Sequence, residues 1–328
     1  MKRFVMGIDG GATKTHVMIC DTELNKVCLV EGGASSHEFL PGGFDEATGV
    51  LEDLIDDALF KAGIDIGEVE CAVFGLAGLD VSYQYDEMEK RIKAFLGCPF
   101  LLFNDAFLPI LAGSDSGYGI GAINGTGFSV AGLDRKGNRL QIGGFHEFSD
   151  DFGGGKWYTE QVISAIYRYM YKLGEKSVMV DLVTEGLGFP ADEMFMENVN
   201  RLFTSDRNAL RLTCCKALHR AADEGDRTAR SIIEKSVSEY SLIFDSMLDK
   251  LDFGEDKISV VVTGSQFIRG SAFIMQRLRD IMDRRLELMT FSDPPVFGAV
   301  AEALRSLGKI QDRKALFDVL RENMTHGK

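Results

Sequence analysis

Basic charge is what this chain of 328 residues has least of: 36 Lys and Arg stand against 50 Asp and Glu, a formal net charge of −14. A nucleic-acid binder needs a basic face to neutralise phosphates, so no nucleic-acid partner is expected. No run approaches the roughly 18 uninterrupted apolar residues of a membrane span. The opening MKRFVMGIDGG enters a strand pattern directly, with no leader-like apolar segment. The expected location is therefore cytoplasmic, with no membrane partner. The six cysteines (Cys20, Cys28, Cys71, Cys98, Cys214 and Cys215) show no paired CxxC spacing and lie mostly in apolar runs. That argues against a zinc or redox site and for small buried hydrophobes in a reducing compartment. Low-complexity tracts and flexible linkers are also missing.

What is present suggests two lobes. The chain is about twice the length of a typical domain, and its hydrophobic (45%) and charged (26%) fractions are ordinary for a globular protein. Short strand patterns over Phe4 to Ile8, Thr15 to Asp21 and Val27 to Glu31 are followed by a helical period from Phe44, with Gly63 after its last turn. A strand (Cys71 to Leu76), a helix (about Tyr83 to Leu96) and a strand (Phe100 to Phe103) complete the unit. The plan then restarts with strands at Tyr118 to Ile123, Phe128 to Leu133 and Leu140 to Phe145. MGIDGGATKTHVMICDTELNKVCLVEGG and IGAINGTGFSVAGLDRKGNRLQIGGF share one order: strand, glycine loop, strand, polar turn, strand, glycines. This is a duplicated domain rather than a solenoid, because the unit occurs twice and carries its own helices. A mostly helical stretch, about 151–251, interrupts the second copy, which resumes with the strand Ile258 to Thr263. A helix from about Ser271 to Arg285, a strand near Leu286 to Thr290, a helix after Pro294-Pro295 and an amphipathic helix over about Arg313 to Met324 follow.

The densest chemistry is Asp9-Gly10-Gly11-Ala12-Thr13-Lys14-Thr15, at a strand–loop–strand junction. Glycines allow a tight turn and bring N–H groups close to an anion, and Thr13 and Lys14 add a hydroxyl and an ammonium. Asp9, at the strand end, suits a hydrated Mg²⁺. The alternative is a hairpin turn with incidental charge. The loop is neither GxxxxGK[ST] nor GxGxxG, and no helix follows it, so P-loop and Rossmann readings fail. Gly125-Thr126-Gly127 occupies the matching place in the second copy. Two such loops at equivalent places would face one another across a cleft and cradle a triphosphate. Asn104-Asp105 ends an apolar strand, where a carboxylate faces the cleft of an open α/β sheet. There it offers a base to an attacking hydroxyl, a helix N-cap being the plainer alternative. Gly264-Ser265, at another strand end, lets the backbone approach an adenine or ribose, although by itself it is a common strand–helix turn.

The series DGGATKT, NDA, NGTG, GGFHEFSDDFGGGKW and VVTGSQ resembles the actin/hexokinase/Hsp70-type ATPases. Within them it is similar to the N-acetylglucosamine kinase and BadF/BadG ATPase group, from Met6 to about Ala303. The resemblance implies an α/β fold of duplicated ribonuclease H-like, actin-like ATPase lobes, 1–116 and 117–328, with a nucleotide cleft between them. The last helix has no sequence reason to choose a lobe. ATP and Mg²⁺ are implied, with transfer of a phosphoryl group to a hydroxyl of a sugar or amino sugar. Gly10, Gly11, Thr13 and Lys14 would form the first phosphate loop and Gly125, Thr126 and Gly127 the second, with Gly264 and Ser265 along the adenosine. Asp9 would serve the metal and Asp105 would be the base. Ser36, His37, Asn104, Asp105, Ser129, Gly144 and Asp151 would line the acceptor. A homodimer is what the related group implies.

Three positions depart from the usual pattern of that group: Ser36 and Ser129 stand where Asn is usual, and Phe152 replaces a Glu beside Asp151. These losses bear on which sugar is read rather than on the ATP machinery, making another amino sugar or a polyol the alternative acceptor. His37 and His146 lie near the proposed acceptor pocket as hydrogen-bonding or structural groups. Trp157 is a sugar-stacking or a core residue. Two other functions fit the same scaffold. An activator of a CoA-dependent dehydratase or reductase would hold an iron–sulfur cluster with cysteines around the second phosphate region, but Gly125 to Gly155 contains none. A non-catalytic nucleotide or sugar sensor is the other. Its DNA-binding repressor form is not expected, because no helix-turn-helix precedes the first strand.

Overall fold

The computed structural model describes residues 3–145, 148–149, 152–255, 257–309 and 312–326. The first unit runs β1 (Phe4–Gly10), β2 (Thr15–Asp21), β3 (Val27–Gly32), α1 (Gly43–Ala62), β4 (Val69–Leu76), α2 (Ser82–Phe95), β5 (Phe100–Asn104) and α3 (Leu108–Gly113). The second opens with β6 (Gly119–Asn124), β7 (Phe128–Leu133) and β8 (Arg139–Gly143). Five helices follow: α4 (Gly155–Tyr171), α5 (Val178–Leu187), α6 (Phe195–Ser205), α7 (Arg207–Asp223) and α8 (Arg227–Lys250). The chain ends with β9 (Ile258–Thr263), α9 (Ser265–Ile268), α10 (Ala272–Ile281), β10 (Leu286–Thr290), α11 (Val296–Ser306) and α12 (Arg313–His326).

The two sheets have the orders β3-β2-β1-β4-β5 and β10-β9-β6-β7-β8, which is one topology read from opposite edges. In each unit the first three strands form an antiparallel meander, and the fourth and fifth join parallel to the first. The repeat in the sequence is thus a repeat in space: two ribonuclease H-like sheets. β1 and β2 are covered on both faces, so FVMGIDG and THVMICD read as near-continuous apolar runs rather than alternating ones. On one face of the first sheet, α1 lays down Ala47, Leu51, Ile55, Ala58 and Ala62 at helical spacing, and Gly63 closes it at φ +63°.

The opposite face of that sheet meets α11, which packs on β1, β4 and α3, while α3 packs on β6 and β9 of the second sheet. α3 of the first unit therefore covers the second sheet, and α11 of the second unit covers the first. Between the sheets Val5, Val73, Phe107, Val261, Phe297 and Val300 share one core. Glycine permits the approach: a Cβ on Gly7 would lie 2.8 Å from the Val300 side chain, and one on Gly298 would strike the Leu108 carbonyl oxygen. The sequence gives no sign of α3, because six residues around Pro109 are too few to show a period. α12 lies against β3 and α11, with Leu316 and Leu320 buried. A separate core, including Tyr158, Val162, Leu218, Ile233 and Phe244, joins the second sheet to the helices inserted after β8.

β8 stops at Gly143 rather than Phe145 because Gly143 and Gly144 take φ of +84° and +95° and turn the chain away. Cys20, Cys71, Cys214 and Cys215 are buried, and Cys28 and Cys98 partly so. Burial pushes the Cys20 thiol up to about 12 and Cys215 to about 11, which leaves them protonated and unreactive. Among the described residues no helix is long and apolar enough to cross a membrane.

Candidate active site

The first glycine loop is a tight hairpin turn between β1 and β2, which pair up to Gly10 opposite Thr15. The Gly11 N–H donates to the Lys14 carbonyl at 3.0 Å. The Gly10 carbonyl accepts from Ala77 N–H, and that of Gly11 from the N–H groups of Ser35 and Ser36, which fastens the turn to the loops after β4 and β3. A Cβ on Gly10 would approach Ser35 Oγ to 2.5 Å, so a side chain there would have to displace Ser35 and Leu76. Thr13 and Lys14 stand exposed at the tip.

Asp9, His16 and Glu31 are direct cross-strand partners on β1, β2 and β3. The buried His16 ring lies 2.9 Å from Glu31 through Nε2 and 3.6 Å from the Asp9 carboxylate through Nδ1. Asp9 keeps 16% of its side chain exposed, so it has room for the single carboxylate contact that a hydrated magnesium ion makes. The last residue of β6, Asn124, is its neutral counterpart in the second unit.

The second loop is built on α4. Its Gly125 carbonyl accepts from Gly155 N–H at 2.9 Å and its Thr126 carbonyl from Lys156 N–H at 3.0 Å. In a trans peptide the following N–H points opposite the carbonyl. The N–H groups of Thr126 and Gly127 therefore point away from α4, as a donor pair suited to an anion. Thr126 Oγ1 accepts from Arg211 of α7 at 2.6 Å, which places a guanidinium beside the loop. Gly264, at φ +93°, presses on β6: a Cβ there would fall on the Asn124 carbonyl. Ser265 is exposed at the start of α9.

Gln266 completes this support. Ser271 N–H donates to His219 Nδ1 at 3.0 Å, so the proton of the imidazole is on Nε2, which donates to Gln266 Oε1 at 2.8 Å. The Gln266 amide nitrogen is thereby turned toward the Gly125 carbonyl, 3.5 Å away. Burial keeps His219 neutral by lowering its pKa.

Asp105 opens a 3₁₀ turn, Asp105–Phe107, that follows β5 and lies against β4, β6 and β7, where the two sheets meet. Asn104 caps the turn, its Oδ1 accepting from Ala106 N–H at 2.8 Å. The N-cap is thus Asn104, and the carboxylate of Asp105 is left free of that task. The Asp105 carboxyl is pushed up to about 7, first by burial and then by the negative charges of Asp9 and Asp80; hydrogen bonds from the backbone N–H groups of Ala106 and Asp105 offset this only in part.

On the proposed acceptor side, Ser36 is wholly buried and His37 lies flat on Phe44, with ring centroids 3.8 Å apart. Gln84 Oε1 accepts from Asp80 N–H (2.7 Å) and Val81 N–H (2.9 Å), so its amide nitrogen faces Glu38 and His37 Nε2. That donor makes His37 Nε2 the acceptor and leaves the proton on Nδ1. Ser36 Oγ, His37 Nδ1 and Ser129 Oγ are buried with no hydrogen-bond partner among the described residues. Such groups are costly unless something else satisfies them. Ser129 pairs with Gly143 across β7 and β8, and a Cβ on Gly144 would lie 3.2 Å from Asp80 Oδ1. Phe152, in place of the usual Glu, packs on Trp157 with centroids 5.0 Å apart, and Trp157 in turn packs on the core of the second unit. Asp151 and His146 lie outside the described residues.

Asp80, Gln141, Arg211 and His219 were not among the residues singled out from sequence, and Gln266 entered only as the end of VVTGSQ, with no role of its own. Each acts through a long-range contact that no local pattern announces.

A duplicated ribonuclease H-like pair of sheets, with glycine turns after β1 and β6 and a carboxylate at their junction, is the actin-like ATPase fold. The chain belongs to the BadF/BadG/BcrA/BcrD ATPase family, whose model matches residues 6–303. It is similar to an N-acetylmuramic acid/N-acetylglucosamine kinase of Clostridium acetobutylicum, with 24% identity over 91% of this chain and 97% of that protein. Among solved structures it is similar to a Chromobacterium violaceum protein assigned as an N-acetylglucosamine kinase (TM-score 0.68, 20% identity, 92% of this chain and 99% of that one). It also resembles a ROK family glucokinase from Streptomyces griseus in complex with glucose and AMPPNP (TM-score 0.54, 15% identity, 92% and 98%).

Proposed function

We propose that this protein is an ATP-dependent kinase that transfers the γ-phosphoryl group of ATP to a hydroxyl of a sugar, with an amino sugar as the favoured acceptor. The observation that carries the reading is Asp105: a capped, partly buried carboxylate at the junction of the two sheets, with a proton affinity near neutrality, where a general base works best. Near-full-length similarity to an amino-sugar kinase supports it.

Asp105 takes the proton of the acceptor hydroxyl as its oxygen bonds to the γ-phosphorus, while the bond from that phosphorus to the β–γ bridging oxygen breaks and ADP leaves. Gly10, Gly11, Thr13 and Lys14 on one side, and Gly125, Thr126 and Gly127 on the other, hold the phosphates; Gly264 and Ser265 lie along the adenosine. Asp9 would hold magnesium, which supplies charge neutralisation on the phosphates. Ser36, His37, Asn104, Ser129, Gly144 and Asp151 receive the sugar. The unpartnered Ser36, His37 and Ser129 groups favour an acceptor rich in hydroxyls over an apolar one.

The experiment is a coupled ADP-release screen against amino sugars, hexoses and polyols. At least one sugar raises ADP release well above the water background on this reading. If none does while ATP still binds, the protein is a sensor and not a kinase.

A further inference from the structure

Asp80 lies just beyond β4, outside every motif of the sequence, and it links three parts of the site. Its Oδ1 accepts from Asn104 Nδ2 at 3.1 Å and from the side-chain amide of Gln141 on β8 of the other lobe. The same Asn104 nitrogen donates to the Leu79 carbonyl at 3.2 Å. With both acceptors on the nitrogen side, the amide has one favourable orientation, which turns Asn104 Oδ1 toward Ala106 N–H. That bond caps the turn carrying Asp105.

The approach to Asp80 is kept open from the second lobe. Gly144 follows β8 at φ +95°, and a Cβ there would crowd Asp80 Oδ1. Asp80 is itself fixed from behind, because Gln84 of α2 takes the N–H groups of both Asp80 and Val81. A rigid carboxylate thus meets the capping amide of its own lobe and a side-chain amide of the facing lobe.

We infer that Asp80 is a positioning residue: through Asn104 it sets the direction of the Asp105 turn, and through Gln141 it couples that setting to the placement of the second lobe. The catalytic consequence rests on the kinase reading above; the structural consequence does not. An Asn at position 80 still offers an oxygen to both amides, whereas an Ala offers nothing.

The test compares Asp80→Ala with Asp80→Asn in the full chain. With a sugar that supports turnover, Asp80→Ala lowers kcat by about 10- to 100-fold, the usual cost of a misdirected catalytic group, and leaves the KM for ATP nearly unchanged. Asp80→Asn restores most of the rate. In the resting protein, amide hydrogen exchange over residues 105–107 speeds up in Asp80→Ala and not in Asp80→Asn. Gln141→Ala, which removes only the inter-lobe contact, lowers kcat while leaving that exchange slow. Equal rate losses in Asp80→Ala and Asp80→Asn would overturn the assignment in favour of a pure charge effect. Unchanged exchange at 105–107 in Asp80→Ala would overturn it outright, whether or not any sugar is phosphorylated. Should the wild type turn over no sugar, the exchange comparison still decides the role of Asp80, and only the kinase reading falls.

Discussion

At the level of single residues, Asp105 carries two consequences of one environment. Burial and the charges of Asp9 and Asp80 raise its folded-state value to about 7, against about 3.9 in an unfolded chain. Between those values the folded protein holds this proton more tightly than the unfolded one. Its contribution to stability is therefore fully present below about pH 4 and is lost as pH rises through about 7. Turnover should run the opposite way, rising as the base is freed near neutrality. Asp105→Asn keeps acceptor oxygen for the backbone N–H groups and removes the charge. It should therefore be inactive but more stable than the wild type at pH 8, by on the order of 2 kcal/mol, with the gap closing by about pH 4. Urea unfolding of both proteins at the two pH values measures this; a gap that stays constant with pH would mean that Asp105 is not strained by its charge. Asp105, Asp9 and the loop residues were legible in the sequence because each sits in a short motif at a strand end. Asp80, Gln141 and His219 were not, because their roles come from partners tens of residues away.

At the level of elements, the strands were readable because two turn-bounded patterns repeat. The helices after β8 showed their period. Two things were hidden. α3 is too short to display a period, and its burial between the sheets comes from tertiary packing alone. The second loop was picked out by its place in the repeat, but its orientation is fixed by α4, α9 and the His219–Gln266 pair rather than by its own residues. Gly264 is the most exacting position in that support, since φ +93° and the Asn124 carbonyl both exclude a side chain. Gly264→Ala should cost about 1–3 kcal/mol in stability. It should also raise the KM for ATP while leaving the KM for the sugar almost untouched. Steady-state kinetics with each substrate varied in turn would show this split, and an equal rise in both would place Gly264 outside the nucleotide site.

At the level of the whole molecule, the two sheets are joined by an exchange of two helices, α3 and α11, so one core runs from Val5 to Val261 through Phe297. The Asp105 turn also lies between them, against β4 of the first sheet and β6 and β7 of the second, and the Asp80–Gln141 contact bridges the two lobes. The duplication was plain in the sequence; the exchange was not, because nothing local in VFGAVAEALRS says which sheet it covers. Substrate identity was the least legible property. On the reading proposed here it rests on Ser36, His37 and Ser129, whose buried polar atoms without a partner among the described residues emerge only once the chain is folded. The most direct measurement is a paired one on Asp105→Ala: calorimetric titration with magnesium ATP, and ADP release with the best sugar acceptor. The account predicts wild-type nucleotide affinity with transfer reduced to background. Near-wild-type transfer by the variant, or no uptake of magnesium ATP by the wild type, would contradict it.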